Sequence, residues 1–343
     1  MRAVVITRHG GPEVLAVEQR PEPVVGPGQI RIEVRAAGIN FADLLARSGM
    51  YPDAPKPPCV IGYDVAGVVE SVGPGVEAFA LGDRVLAGSK FNGYAELVTV
   101  GVADAIALPE RLSFEQGAAV PVNYATAQAG LVMMGGLRAG DRVLIQAAAG
   151  GVGIAATQIA RSIGAEIFGT ASATKHEAIL AQGVNHAIDY RSEDFAAAVL
   201  RLTDGEGVDL ILDAIGPSSF RKGYRILRPG GRLICFGLSE VQSGERRNIP
   251  GLLKGLASMS TATMPWWKSL AIMNENKGVF GLNMLSWWER DGDLSRVITP
   301  LVGGLEDGTL DPVVAASFSF EGAAEAHRYL HDAKNVGKVV LTP

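Results

Sequence analysis

The chain has 343 residues, 48% of them hydrophobic, with 43 glycines and a net charge of −5 from 31 basic and 36 acidic residues. That length suggests about two domains, the composition excludes a disordered chain, and the lack of a basic tail or stripe argues against nucleic acid as a partner. Cys59 and Cys235 make no disulfide framework and fit a reducing compartment, the apolar start MRAVVIT is too short for a signal peptide, and the uncharged stretch Gln116–Leu137 is a poor membrane span because of Pro121, Asn123, Gln128 and paired glycines, so a cytoplasmic protein with no membrane span is expected.

From Met1 to about Pro121, β-rich runs recur at Ala3–Thr7, Ile30–Ala36, Val60–Val72, Arg84–Ala87 and Ala95–Val100, separated by clusters such as Gly26-Pro27-Gly28 and Gly73-Pro74-Gly75. This pattern predicts a barrel-like domain, interrupted by one helix over Phe41–Arg47. From about Val122 the period changes to alternating helix and strand, with strands expected at His186–Tyr190, Val208–Ile215, Arg232–Gly237 and Gly278–Asn283. That is the pattern of a doubly wound parallel sheet. Ile249–Met273 is unusually apolar, with Trp266 and Trp267 beside Pro265, and reads as core, dimer surface or lid. The last segment holds a helix ending near Gly308, a strand Val313–Phe320, a helix Glu321–Ala333 and a strand Lys338–Leu341 that could close the sheet begun at the N-terminus. The domains expected are 1–121 with 284–343, and 122–283.

Arg142–Ser172 carries the clearest chemistry. Val143, Leu144 and Ile145 end at Ala147-Ala148-Ala149, and after Gly150, Gly151, Val152 and Gly153 a helix begins. Set against G-x-G-x-x-G, the register is Ala148-x-Gly150-x-x-Gly153, inside the strand, turn, helix and second strand that a dinucleotide site requires. Glycines let the backbone approach a pyrophosphate, which then sits on the unpaired N–H groups at the helix start. An NAD site places a carboxylate about twenty residues further on, whereas this chain has Ala171 and Ser172, then Lys175, with Tyr190 closing the next strand. Hydroxyl and ammonium donors suit a 2′-phosphate, so NADPH is the expected cofactor.

The order of segments, and the stretches GINFADLLARSGMYP, GYDVAGVVESVGPGV, GDRV, GGVG after three alanines, FGTASATKHEAI with IDY, and KNVGKVVL, resemble the medium-chain dehydrogenase/reductase superfamily over the full length. Within it the chain is similar to the zinc-independent quinone oxidoreductase branch that includes zeta-crystallin, and most like homologues of the vesicle amine transport protein. The resemblance implies an α/β fold with a GroES-like β-barrel catalytic domain, a Rossmann domain, and a homodimer joined through Gly278–Asn283. It sets Asn40 at the first zinc-ligand position of the family's alcohol dehydrogenases and Gly62-Tyr63-Asp64 where they carry Gly-His-Glu. Zinc needs thiolate, imidazole or carboxylate ligands, so no metal is expected.

By the same resemblance, Asn40, Asp43, Tyr51 and Tyr63 surround the substrate, Thr126, Phe236 and Gly237 lie near the nicotinamide, and Asn335 and Lys338 lie near both. Asn40 also suits an N-cap, and Asp43 a first helical turn. A Tyr63 phenol could donate a hydrogen bond to a carbonyl oxygen. Without a Lewis acid, the chemistry best matched to NADPH is hydride addition to a quinone, enone or 2-alkenal. Two other functions compete: a carbonyl reductase or alcohol dehydrogenase, and an NADPH-binding protein with little catalysis and a structural or membrane-associated role.

Overall fold

The computed structural model describes residues 1–241, 269–291 and 294–343. The chain opens with β1 (Arg2–Ile6), β2 (Leu15–Gln19) and the long β3 (Gln29–Ile39), in which Ile30, Ile32 and Val34 alternate inward. Helix α1 (Phe41–Ser48) ends on Gly49 at φ +74°, a left-handed cap that a Cβ would disfavour. There follow β4 (Cys59–Val60), β5 (Asp64–Val72), β6 (Arg84–Gly88), β7 (Leu97–Gly101) and β8 (Ala105–Ala107). The run Val60–Val72, expected as one strand, breaks in two at Gly62, whose φ is +98° and whose Cβ would lie 2.3 Å from the Tyr94 ring. Strand β2 was not legible as an apolar run because none of its residues is fully buried.

Short helices α2 (Phe114–Gly117) and α3 (Pro121–Gln128) lead into β9 (Arg142–Ile145), α4 (Gly151–Ile163), β10 (Glu166–Ala171), α5 (His176–Gln182), β11 (His186–Asp189), α6 (Phe195–Leu202), β12 (Val208–Asp213), α7 (Pro217–Arg225), β13 (Leu227–Cys235), α8 (Ser269–Glu275) and β14 (Gly278–Gly281). The closing segment supplies α9 (Met284–Asp291), α10 (Ser295–Ile298), α11 (Val302–Asp307), β15 (Val314–Ser319), α12 (Ala323–His331) and β16 (Lys338–Thr342). Trp266 and Trp267 lie outside the described residues. Among the described residues, no helix is long and apolar enough to cross a membrane.

The chain divides into two compact units. Met1–Ala125 and Met284–Pro343 belong to one. Its larger sheet runs β15-β16-β3-β5-β6-β8, with β7 also on β3, and its smaller sheet runs β2-β1-β4. Strand β16 pairs antiparallel with β3, Val340 opposite Gly38, so the C-terminal strand does close the sheet begun near the N-terminus. Inward residues of these strands, with Leu44, Tyr94 and Phe320, make one apolar core. The other unit, from Thr126 to Asn283, holds a parallel sheet in the order β11-β10-β9-β12-β13-β14. The order reverses between β9 and β12, and ligands of such sheets bind beyond the carboxyl ends of the strands at that point.

Candidate functional site

In the parallel-sheet unit the turn after β9 begins with Ala147 at φ +53°, a left-handed conformation for a residue with a side chain. Its carbonyl accepts the Gly150 N–H at 2.9 Å and closes the turn on the start of α4. A Cβ on Gly153 would sit 2.4 Å from that oxygen and 2.6 Å from Ala148 Cα, so only glycine lets the helix pack this closely. Gly150 caps α4 without a side chain, and the first-turn N–H groups of Gly151, Val152 and Gly153 have no acceptor inside the helix. Ala149 is buried beside them. Amides converging on a helix start that no side chain caps suit a pyrophosphate.

Parallel pairing of β10 with β11 sets Ala171 opposite Asp189, which brings the ends of both strands together. Ser172 is buried there, with its hydroxyl 3.2 Å from that of Thr174, while Tyr190 is half-exposed. Burial, reinforced by the nearby Arg191, pulls the Lys175 ammonium below its ordinary pKa. Arg191 also lies over the Tyr190 ring at 5.8 Å. Sequence reasoning missed Arg191, although its place next to Tyr190 was a signal. Two neighbouring cations at the ends of adjacent strands fit an anion. Thr126 is buried in this unit, and Phe236 and Gly237 follow β13, with the Phe236 N–H donating to the Asp213 carbonyl at 3.0 Å.

The barrel unit holds a second constellation. Asp64, first residue of β5, is fully buried and accepts from Val122 N–H at 2.7 Å and Asn40 Nδ2 at 2.8 Å. Lys338 Nζ, itself buried, donates to Asp64 and, at 2.6 Å, to Asn40 Oδ1. Gly38 makes room for this lysine, since a Cβ there would lie 2.4 Å from Lys338 Cε. The Asn40 side chain is therefore spent on Asp64 and Lys338. Asn40 also stands at the N-cap of α1, where a capping box closes the helix start: the Asp43 carboxylate accepts the Asn40 backbone N–H at 2.8 Å.

Asp43 is fully buried too, and less well satisfied. One of its oxygens accepts from Asn40 N–H and, at 2.9 Å, from the Tyr94 hydroxyl; the other has no hydrogen-bond partner. Burial pushes its pKa up to about 7. Tyr63 packs on Phe91 with ring centroids 4.9 Å apart, and its buried hydroxyl faces the Tyr51 phenol. Burial, the Asp43 charge and Tyr51 hold the Tyr63 phenol far above its usual pKa, and burial raises Tyr51 likewise, so both are donors at any working pH. Of the residues expected around a substrate, Asn40, Asp43 and Lys338 share one bonded cluster with Asp64 and Tyr94, and Tyr51 and Tyr63 feel its charge. Asn335 is buried and donates to the Gly337 carbonyl at 2.8 Å. Tyr94 and the role of Asp64 were not foreseen; a lone carboxylate inside the apolar run Ile61–Val69 was the available signal.

This donor set suits no zinc: Asn40 and Tyr63 offer an amide and a neutral phenol, and both Asp64 oxygens are already engaged. Among the described residues, no group of three or more His, Cys, Asp or Glu side chains could hold a metal ion.

Residues 26–110 match the alcohol dehydrogenase GroES-like domain family, and residues 182–341 a family described as zinc-binding dehydrogenase. The rat synaptic vesicle membrane protein VAT-1 homolog is 37% identical over 352 residues, spanning 100% of this chain and 84% of its own length. Among solved structures, Escherichia coli quinone oxidoreductase complexed with NADPH superposes with a TM-score of 0.85 at 28% identity, covering 100% of both chains. A structure of an NAD-dependent alcohol dehydrogenase gives 0.82 at 33% identity, again over 100% of both.

Proposed function

The chain belongs to the medium-chain dehydrogenase/reductase superfamily, and on that premise we propose that it is an NADPH-dependent reductase of quinones or α,β-unsaturated carbonyls that works without zinc. The Lys338, Asp64 and Asn40 cluster supports this most strongly, because hydrogen bonds and an internal ammonium fill the place where the superfamily's alcohol dehydrogenases keep metal ligands. A saturated ketone needs strong polarisation of its carbonyl, whereas a conjugated acceptor spreads the incoming charge over several atoms.

In this reading Ala149, Gly150, Gly151, Val152 and Gly153 receive the pyrophosphate, and Ser172, Lys175, Tyr190 and Arg191 the 2′-phosphate. Thr126, Phe236, Gly237, Asn335 and Lys338 serve the nicotinamide end. When bound, NADPH supplies the hydride. Tyr63 and Tyr51 present phenol O–H groups to the substrate oxygen, and Asn40 keeps the floor of the site in place through Lys338 and Asp64. Because both phenols hold their protons tightly, they stabilise an oxyanion by hydrogen bonding rather than by protonating it, and water completes the product.

Nicotinamide fluorescence titration tests the cofactor assignment. NADPH should bind at least about tenfold more tightly than NADH, and Lys175→Ala should remove that preference, a loss of roughly 1.4 kcal/mol; equal affinities would overturn it. The likeness to an NAD-dependent alcohol dehydrogenase favours a second reading, oxidation of saturated alcohols, and the vesicle membrane protein homolog a third, a binding role with little turnover. We also propose a cytoplasmic homodimer joined through β14, the last strand of its sheet, where Phe280 is 39% exposed. A monomer in sedimentation at working concentration would contradict that assembly.

A further inference from the structure

Beneath the phosphate turn runs a buried chain of hydrogen bonds to which the nucleotide reading assigns no role. Thr170 Oγ1 accepts the Ala147 N–H at 3.1 Å and donates its own proton to Gln146 Oε1 at 2.6 Å. Gln146 Nε2 donates to Ser219 Oγ at 3.1 Å, and Ser219 donates to Asp213 Oδ2 at 2.5 Å. The other Asp213 oxygen accepts the Ile215 N–H at 2.7 Å. All four side chains are buried.

The direction of this chain is set by its carboxylate end. An ionised Asp213 only accepts, so the Ser219 proton goes to it; the Ser219 oxygen then accepts from the Gln146 amide group, which turns the Gln146 oxygen toward Thr170 as the acceptor of the Thr170 proton. Burial lifts Asp213 only to about 6, which leaves the ionised acceptor dominant at neutral pH. The chain thus joins the carboxyl ends of β9, β10 and β12 to the start of α7 and ends on the N–H of Ala147. That residue holds a left-handed φ of +53°, which costs roughly 1–2 kcal/mol for a residue with a Cβ. Its carbonyl in turn bonds Gly150 and faces Gly153.

We propose that Thr170, Gln146, Ser219 and Asp213 are positioning residues that hold the Ala147 peptide, and with it the phosphate turn, in the conformation that binds a nucleotide pyrophosphate. The inference rests on the nucleotide reading above and adds residues that do not themselves touch the ligand.

The test uses the full chain and NADPH fluorescence titration. Thr170→Val keeps the shape and removes the hydroxyl, and should raise the Kd for NADPH about tenfold; Thr170→Ser keeps the hydroxyl and should stay within about twofold of wild type. In the same variants KM for NADPH should follow Kd while kcat at saturating NADPH is unchanged, a split that general loosening of the fold would not give. An unchanged Kd in Thr170→Val, or equal losses in Val and Ser, overturns the inference while leaving the nucleotide reading intact. Failure of the wild-type protein to bind NADPH or NADH overturns both. Should Thr170→Val not fold, Ser219→Ala breaks the chain at its far end and should raise Kd severalfold; a wild-type Kd there contradicts the proposal.

Discussion

In the parallel-sheet unit, Asp213 ends a chain of neutral donors that stops at a backbone N–H, whereas in the barrel unit Asp64 is held by an ammonium, an amide and a backbone N–H together. The first arrangement adds no cation beneath the turn. The second concentrates charge: Lys338, Asp64 and the half-satisfied Asp43 lie in one cluster, beside two phenols whose pKa burial raises. A buried polar group is tolerated where its partners are complete and becomes responsive where they are not. Asp64 is the complete case, Asp43 the incomplete one.

Removing the charge that balances Asp64 tests this contrast most severely. Lys338→Met should destabilise the protein by about 3–5 kcal/mol, because a buried carboxylate loses its counter-ion. Adding Asp64→Asn should recover much of that loss, and a double-mutant cycle by denaturant unfolding measures the coupling. A double-variant loss equal to the sum of the two single losses would mean that the pair is not coupled.

Asp43 should show itself in pH dependence. Its pKa is raised from 3.8 to about 7, so the native state binds this proton more tightly than the unfolded chain. The resulting stability is complete below about pH 4 and is lost as pH rises through 7, an effect on the order of 4 kcal/mol. Tyr94, Asp64, Lys338, Tyr63 and Tyr51 are the charged or titratable groups that interact with it. Asp43→Asn should flatten stability between pH 4 and 7, and an unchanged slope would assign it to another group.

In the parallel-sheet unit, Gly153→Ala forces a Cβ against the Ala147 carbonyl and should weaken NADPH binding by about 2 kcal/mol with the barrel unit's pH behaviour unchanged. The smallest effect is the most diagnostic. Tyr63→Phe deletes a buried hydroxyl that faces the Tyr51 phenol, and should leave stability within about 1 kcal/mol of wild type. If that hydroxyl serves the substrate, the same variant loses kcat; a fall in stability instead would reveal a hydrogen bond in the resting protein.

What could be read in advance was local. The glycine turn, the small residue and lysine after β10, and the β-branched run at Lys338–Leu341 all declare themselves within a few neighbours. The barrel cluster does not, because Lys338 meets Asn40 and Asp64 across 298 and 274 residues of chain. Asn40 stands at the N-cap of α1 as its place in the sequence suggests, and only the fold adds Asp64 and Lys338 as partners of its side chain. The break at Gly62 depends on the Tyr94 ring, and Arg191 acquires meaning only through the register that sets β11 beside β10. In the chain from Asp213 to Ala147 each residue is ordinary alone, and the parallel strand order makes the connection.

The most direct measurement follows NADPH oxidation at its absorbance band with a quinone, an enone, a 2-alkenal and a simple aldehyde, each with and without a chelator. Turnover of the three conjugated acceptors, indifferent to chelator, with none of the simple aldehyde, is the expected result. Reduction of the simple aldehyde that vanishes with chelator would contradict a zinc-free site, and silence across all four with NADPH bound would contradict a reductase altogether.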